Sequence, residues 1–274
     1  MGAAGTPVRE GRVEVNGISM YYREAGEGFP LLGIMGLGAN SDWWPPEVVE
    51  DLAARYRFLM PDNRGAGRTD CPSEEWTLET NAEDLAAFMD ALGVERAHVM
   101  GFSMGGMIAQ LLAIRFPHRV EKLILGCTTC GTSHGIPVKP ELVEAMSVFF
   151  SGTLTPEEVA LKTAEMLYCR RTLEERPELV REFVSRHTVA PISNDGLTKQ
   201  VKAVAQFDSY DLLERIKAPT LVMVGEDDFM LPAGNSDILY RRIPGARMIK
   251  FAPAGHGFLS EVPEFTSIVR AFLG

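Results

Sequence analysis

The sequence predicts an α/β protein with a mostly parallel sheet, helices on both faces and an inserted helical cap. Short, uniformly apolar runs recur along the chain, which is typical of parallel strands that are covered on both sides. Helical patterns lie between these runs, whereas residues 131–214 contain helical patterns only. We therefore expect residues 1–130 and 215–274 to form an α/β core, and residues 131–214 to form a cap, or lid, over one end of its sheet.

The strand assignments begin with a hairpin signal at residues 13–20. Asn16-Gly17 separates two alternating segments, and this pair favours a tight turn with positive backbone angles. Apolar runs predict the remaining strands of the sheet. They cover residues 30–35, 57–62, 97–102, 122–127, 220–225 and 247–251.

Two helices of the core are predicted from the residues at their ends. Thr80 and Glu83 have the spacing of a capping box, apolar residues follow at helical spacing, and Gly93 ends the pattern. The second helix covers residues 104–116 and is stopped by Pro117.

The cap is predicted to contain several helices. Thr155 and Glu158 form a further capping box, with Pro156 at the first helical position. Pro177 starts another helix, and residues 197–207 form one more.

Composition and charge argue against several classes of protein. The chain has 274 residues and a formal net charge of −10, which disfavours binding to nucleic acid or to anionic membranes. No apolar run reaches the length of a transmembrane helix. The first residues, MGAAGTPVREGR, lack the features of an export signal, so we expect a cytoplasmic protein. The sequence leaves the oligomeric state open.

The four cysteines are expected to be free thiols, because no export signal is recognised. Cys127 and Cys130 have the spacing of a metal or redox pair, with His134 nearby. No second pair of ligands accompanies them, so we favour small, soft residues at the end of a buried strand. We expect neither a metal nor an organic cofactor.

Ser103 stands in the pattern Gly101-Phe-Ser-Met-Gly105, between a predicted strand and a predicted helix. In that context the pattern indicates a sharp turn that displays a nucleophilic serine above the helix N-terminus, where the helix dipole favours negative charge. The alternative is a glycine-rich strand-to-helix connection without chemistry. A nucleophilic serine needs a base and an orienting acid, so the two interpretations differ in what else the chain must contain.

The five histidines differ in their predicted positions. His98 and His118 fall at the end of the sheet opposite Ser103, and open α/β sheets build their sites at the carboxyl ends of strands. His134 is a candidate pocket residue, and we expect His187 on the surface of a cap helix. His256 follows the last strand between two glycines, at the correct end of the sheet. We therefore choose His256 as the base.

The acid is expected at another strand end. Glu226, Asp227 and Asp228 follow the strand that ends at Gly225, whereas no acid follows the strand that ends at Cys127. We choose Asp228, which gives the chain order serine, acid, histidine. Two backbone amides complete the site as an oxyanion hole: Met104, directly after the nucleophile, and Leu37, in the glycine-rich loop after an earlier strand.

The sequence now resembles the α/β-hydrolase superfamily over almost its whole length. The matching stretches are GIMGLGANSDWW, MPDNRGAGRTD, HVMGFSMGG, VGEDDFMLP and APAGHGFLSEVPEF. The resemblance is greatest to the branch of capped esterases, enol-lactonases and cofactor-free haloperoxidases. It implies an eight-stranded sheet with a cap between the sixth and seventh strands. It also implies Ser103, Asp228 and His256 as the catalytic triad, with the amides of Leu37 and Met104 as the oxyanion hole.

Two positions depart from many members of that superfamily. Met35 stands where they carry histidine, so it cannot donate the hydrogen bonds that would brace the oxyanion loop. Phe102, before the nucleophile, is bulky and apolar where some carry histidine. Serine at position 103 argues against the haloalkane dehalogenase and epoxide hydrolase branches, which use a carboxylate there.

The resulting hypothesis is a serine hydrolase that cleaves a small carboxylic ester or lactone through an acyl-enzyme. Its rivals on the same triad are a perhydrolase or haloperoxidase and a carbon–carbon bond hydrolase. A small-molecule-binding protein with a vestigial triad is the rival from another class.

Apolar side chains near the expected site have two interpretations. Trp43 and Trp44 either line the acyl site or anchor a helix, and we favour the anchor. Five cap residues are either pocket walls or contacts between cap helices, and we expect the second role for most of them. They are Met146, Phe149, Phe150, Met166 and Phe183.

Overall fold

The fold is described from a computed structural model that covers residues 7–150 and 153–274. Residues 1–6, where the MGAAGTPVREGR segment begins, and the side chain of Phe150 lie outside the described residues. Within the described residues, eight strands form one sheet, which confirms the predicted eight-stranded architecture, and their order is β1-β2-β4-β3-β5-β6-β7-β8. The strands are β1 Val8–Val15, β2 Ile18–Ala25, β3 Phe29–Ile34, β4 Tyr56–Pro61, β5 Ala97–Phe102, β6 Val120–Gly126, β7 Thr220–Gly225 and β8 Arg247–Phe251.

The sheet is parallel except at its first edge. β1 pairs with β2 and β2 with β4 in antiparallel register, and all other neighbours are parallel. The hairpin turn lies where the sequence predicts it, with positive φ at both Asn16 and Gly17 (44° and 78°). The parallel strands place their carboxyl ends together, and this edge carries every predicted catalytic residue.

Helices follow the strands along the chain. They are α1 Pro46–Ala53, α2 Leu78–Ala91, α3 Met104–Arg115, α4 Pro140–Ser147, α5 Pro156–Leu167, α6 Arg170–Glu175, α7 Pro177–His187, α8 Asn194–Gln206, α9 Gly234–Arg242, α10 Phe258–Glu261 and α11 Phe265–Leu273. In the described part of the chain, no helix combines the length and the apolar character that crossing a bilayer requires.

Both faces of the sheet are buried by helices. On one face, residues of α2, α3 and α9 pack in an apolar cluster with the sheet, and on the other face α1 and α11 do the same. β5 runs through the middle of this arrangement, and all six of its residues are buried. A central strand covered on both sides gives its last residues a rigid support.

One predicted helix start is wrong. α2 begins at Leu78, not at Thr80, so Thr80 lies within its first turn. The reason is burial: Leu78 is fully packed into the core, which extends the helix upstream of the capping-box pattern. Glu83 forms an ion pair with Arg115 of the neighbouring helix instead of capping.

The segment between β6 and β7 contains helices α4 to α8. Thr155 and Glu158 form the reciprocal capping box that the sequence predicts, with Pro156 at the start of α5. α8 begins three residues earlier than predicted, because the Ser193 hydroxyl accepts a hydrogen bond from the Gly196 amide and caps it. We use "cap" for residues 131–214, whose boundaries remain those proposed from the sequence.

Candidate active site

Ser103 lies at the sharp turn between β5 and α3. Its backbone has φ 55° and ψ −123°, a region that is strained for a residue with a side chain. The turn is possible because both flanking residues are glycines, which have no side chain where other backbone comes close. A Cβ added at Gly101 would lie 2.2 Å from the Gly105 carbonyl oxygen, and one at Gly105 would lie 2.2 Å from that of Ile34. Strain of this kind at a residue whose half-buried hydroxyl lines a cavity is typical of a functional site.

The turn is held from the neighbouring strand. The Ser103 amide donates to the Gly126 carbonyl at 3.0 Å, and the Thr128 hydroxyl donates to the Ser103 carbonyl at 2.7 Å. The Ser103 side chain itself lines a pocket above the sheet.

His256 and Asp228 form a buried pair. Nδ1 of His256 lies 2.7 Å from Oδ2 of Asp228. The other carboxylate oxygen, Oδ1, accepts hydrogen bonds from the amides of Met230 and Leu231 at 2.9 and 2.8 Å. The carboxylate is therefore fixed on both sides, and it fixes the imidazole ring.

The three adjacent acids after β7 have different environments. Glu226 and Asp227 are exposed, whereas Asp228 is buried. The amides of Glu226 and Asp227 donate to carbonyls at and after the end of β8, whereas the Asp228 side chain is hydrogen-bonded to the His256 ring. This geometry supports Asp228 over its two neighbours as the orienting acid.

The electrostatics of the pair favour a protonated imidazole. Burial by itself lowers the pKa of His256, but the adjacent Asp228 carboxylate outweighs it and holds the pKa well above 6.5. The Cys127 thiol lies next to the ring and also raises the pKa of His256, whereas burial raises the pKa of the thiol itself.

We predict an acid limb in the pH profile that lies above pH 6.5. A general base must be neutral, and a raised pKa means that the imidazole still carries its proton at a pH where a free histidine would have lost it. Activity should therefore fall as the pH drops through that raised pKa. The measurement is kcat/KM of a p-nitrophenyl ester against pH, and a midpoint below 6.5 would contradict the prediction.

The predicted oxyanion amides lie in suitable places. A Cβ added at Gly36 would be 3.0 Å from the Cβ of Ser103 and 3.5 Å from its Oγ, so the loop that carries Leu37 packs directly on the nucleophile. Met104 is the first residue of α3, where amides have no partner within the helix. Among the described residues, neither amide is seen to donate a hydrogen bond to protein. Both therefore stay available for a developing oxyanion, and we retain both as proposed donors.

The sequence matches one known family over most of its length. The model of the α/β hydrolase fold family matches residues 30–263. The chain belongs to this family. Its curated relatives include a 2-hydroxy-6-oxo-6-phenylhexa-2,4-dienoate hydrolase from Comamonas testosteroni, 30% identical over 274 residues, which cover 93% of this chain and 91% of that protein. Other relatives carry the names of carbamate hydrolases and non-heme bromoperoxidases.

Solved structures give the same result for the fold. The enol-lactonase from Burkholderia xenovorans LB400 superposes with a TM-score of 0.83 at 26% identity, over 96% of this chain and 99% of that one. Est816, described as an N-acyl homoserine lactone degrading enzyme, superposes with a TM-score of 0.81 at 30% identity, over 96% and 100%. These likenesses support a general assignment of this α/β hydrolase as a hydrolytic enzyme.

A cavity of about 300 Å³ opens at Ser103 of this hydrolase, between the carboxyl edge of the sheet and the cap. Its described lining contains no Lys, Arg, Asp or Glu. Four of the five cap residues named as candidate walls line it; the expectation that most serve only as contacts between cap helices is wrong for them. They are Met146, Phe149, Met166 and Phe183.

The two tryptophans divide between the two interpretations. Trp43 lines the cavity, so the preference for an anchor is wrong there. Trp44 is buried in the core, edge-on to Phe58 and Phe102, and does anchor the start of α1. Phe102 thus fills the core beneath the nucleophile, where its bulk is used for packing.

The prediction that His187 lies on the surface of a cap helix is wrong. It is buried, lines the cavity and packs on Trp43 with ring centroids 4.6 Å apart. Burial lowers the pKa of His187 to about 4, so its ring is neutral at ordinary pH. Leu179, Phe183 and His187 are spaced by four residues on α7, and this spacing was the signal that could have placed the histidine on the buried face.

The other candidates lie elsewhere. His134 is exposed and stacks on Tyr210 at 3.7 Å, outside the cavity. Cys130 and His134 do not join Cys127 in a ligand group. Within the described residues, the group with the spacing of metal ligands is Cys127 with Asp228 and His256. Because Asp228 and His256 are already bonded to each other, this set suits proton transfer better than metal binding.

Proposed function

We propose that this hydrolase cleaves an uncharged, largely apolar carboxylic ester or lactone through an acyl-enzyme on Ser103. The observation that carries the proposal is the cavity itself. It is apolar, it contains the Ser103 side chain and the His256 ring, and its described lining contains no Lys, Arg, Asp or Glu. A buried ionised group without a partner is strongly unfavourable, so the body of the substrate must be neutral.

In the proposed mechanism, Ser103 attacks the acyl carbon while His256 takes the hydroxyl proton. Asp228 holds Nδ1–H, which leaves Nε2 free as the base, and stabilises the imidazolium that forms. The amides of Leu37 and Met104 stabilise the oxyanion. His256 then returns the proton to the leaving alkoxide, and later activates the water that hydrolyses the acyl-enzyme. For a lactone, the leaving alkoxide stays attached to the acyl group.

The cavity also separates this proposal from carbon–carbon bond hydrolysis. The relative from Comamonas testosteroni is named for a dienoate, which is a carboxylate. A cavity lined in this way would have to accept that carboxylate without a Lys or Arg from its described wall. A net charge of −10 further supports a neutral small molecule over an anion, a nucleic acid or an anionic membrane.

The test compares two substrates that differ by one carboxylate. p-Nitrophenyl hexanoate and the mono-p-nitrophenyl ester of adipic acid share the ester and the chain, and only the second ends in a charge. We expect kcat/KM for the neutral ester to exceed that for the charged one by at least about 100-fold, because the carboxylate loses its water without gaining a partner. Equal turnover of the two esters would overturn the proposed substrate class.

The same assay extends to the rival reactions. γ- and δ-lactones of matched chain length separate a lactonase from an esterase. Turnover of peroxide with a carboxylic acid, in the absence of ester hydrolysis, would favour the perhydrolase. No turnover of any of these substrates would favour a binding protein.

A further inference from the structure

The loop that carries the proposed oxyanion donor Leu37 is held by a side chain from the cap. The Gly38 amide donates a hydrogen bond to Oε1 of Gln200 at 2.9 Å. Gln200 lies on α8, and its Nε2 donates to the Arg64 carbonyl at 3.0 Å. One side chain of the cap therefore connects the oxyanion loop to a second segment of the core.

The connection is fully buried. Gln200 has no exposed surface, although most glutamines in proteins are exposed. A buried amide that lost its partners would be costly, so the two hydrogen bonds hold the side chain in one position. The core end is rigid as well, because the Arg64 guanidinium is paired with the buried Asp84 carboxylate at 2.7 Å.

The cap approaches this loop at the position that bonds to Gln200. Gly38 has φ +72°, and a Cβ added there would lie 3.5 Å from Ile192 and 3.7 Å from Leu197, both of the cap. Two residues further on, the Asn40 side chain donates to the Ala190 carbonyl at 2.7 Å. The loop thus lies between the core and the cap and is bonded to both.

On the side of the core, the loop is held through the main chain of Met35 and not through its side chain. The Asn63 side chain donates to the Met35 carbonyl at 2.9 Å. This hydrogen bond fixes the start of the loop through the main chain, and Gln200 fixes its other side. Two amide side chains therefore brace a loop at which Met35 offers no side-chain donor of its own.

We propose that Gln200 is a positioning residue for the oxyanion hole, and that it couples the cap to the catalytic centre. The Gly38 N–H belongs to the peptide that follows Leu37, so holding it restricts rotation of the backbone on the carboxyl side of the proposed donor. The inference deepens the proposed function and rests on it. Gln200 itself does not touch the reacting atoms; it acts through the loop.

The expected effect is on kcat. Displacing a group at a catalytic centre by about 1 Å can cost about 100-fold in rate, and loss of a whole oxyanion donor costs about 100- to 1000-fold. Gln200→Met keeps the length of the side chain and removes both hydrogen bonds. We expect kcat for p-nitrophenyl hexanoate to fall by about 10- to 100-fold, with KM within threefold of wild type.

A second measurement separates positioning from mere structure. A trifluoromethyl ketone of matched chain length forms a tetrahedral adduct with the serine, and its oxyanion occupies the hole. Its inhibition constant should rise in Gln200→Met by the same factor as kcat falls. The control inhibitor is the secondary alcohol that corresponds to this ketone, which cannot form an adduct with the serine and so forms no oxyanion. Its inhibition constant should stay within threefold of the wild-type value. The control is Gln206→Met, an exposed glutamine on the same helix, which should match wild type in all three.

Several results would overturn the inference. Unchanged kcat in Gln200→Met would do so, as would equal losses in affinity for the ketone and the alcohol, which indicate a collapsed cavity. Should Gln200→Met fail to fold, Gln200→Glu, protonated at this buried site, retains an oxygen that accepts from Gly38 and an O–H that can donate to the Arg64 carbonyl. It should keep kcat within about threefold, and a tenfold loss in a folded Gln200→Glu would be contrary to the inference. Wild type that hydrolyses no ester at all would refute the proposed function instead.

Discussion

Ser103→Ala is expected to lower kcat for a neutral p-nitrophenyl ester by about 10⁶-fold, the loss seen when the nucleophile of a serine hydrolase is removed. Alanine keeps the Cβ, so the backbone at φ 55° is no more strained than before, and the hydrogen bonds of the Ser103 main chain remain. The free energy of unfolding should therefore change little. A loss of activity would then be due to the missing hydroxyl nucleophile and not to unfolding.

Covalent labelling by a fluorophosphonate tests the same prediction and does not require the natural substrate to be known. It should label the wild-type chain at residue 103 and leave Ser103→Ala unlabelled. Ser185→Ala is the matched control, because Ser185 is exposed on α7 and should leave both labelling and turnover intact. Labelling of Ser103→Ala to the extent of wild type would place the nucleophile elsewhere.

Asp228→Asn is expected to lower kcat by about 10⁴-fold, the cost of stabilising the wrong histidine tautomer. The amides of Met230 and Leu231 bind one oxygen of residue 228 and will keep an oxygen there. The new NH₂ group must then face Nδ1 of His256, which can only accept from it. That arrangement places the ring proton on Nε2, where it cannot take a proton from Ser103.

The pH profile should change with this variant. Burial still lowers the pKa of His256 in this variant, but the charge that raises it most is lost, so the acid limb of the residual activity should move to lower pH. Asp227→Asn is the matched control: Asp227 is adjacent in the chain, carries the same charge and is exposed, so neither kcat nor the limb should move. A large loss in Asp227→Asn with normal activity in Asp228→Asn would reverse the assignment of the acid.

Catalytic candidates can be chosen from the sequence where they lie next to glycines at the end of a predicted strand. Ser103 and His256 could be chosen because each lies beside glycines after a buried strand, where a side chain has a defined direction. Asp227 and Asp228 give the same order of serine, acid and histidine, so the order could not decide between them, and burial now supports Asp228. Single residues of the cap were harder. Nothing in the pattern of α8 distinguishes Gln200 from other polar positions, because its role depends on how the cap sits against Gly38.

Wrong predictions also have a physical cause. His187 was expected on a surface because a polar residue on a helix usually is, but its ring is buried against Trp43 in a wall that only tertiary packing creates. Thr80 was expected to cap a helix because local spacing favours it, and the burial of Leu78 overrode that local preference. In both cases contacts distant along the chain outweighed the local pattern.

The hydrogen bond from Asn63 to the Met35 carbonyl has a consequence for engineering. Every amino acid has this main-chain carbonyl, so a substitution of residue 35 does not remove the group to which Asn63 donates. Met35 lines the cavity, so a side chain of another size there would reshape the acyl pocket and leave this hydrogen bond in place. A Cβ at Gly36 would lie 3.0 Å from the Cβ of Ser103, so any side chain at that position must displace the nucleophile or its loop.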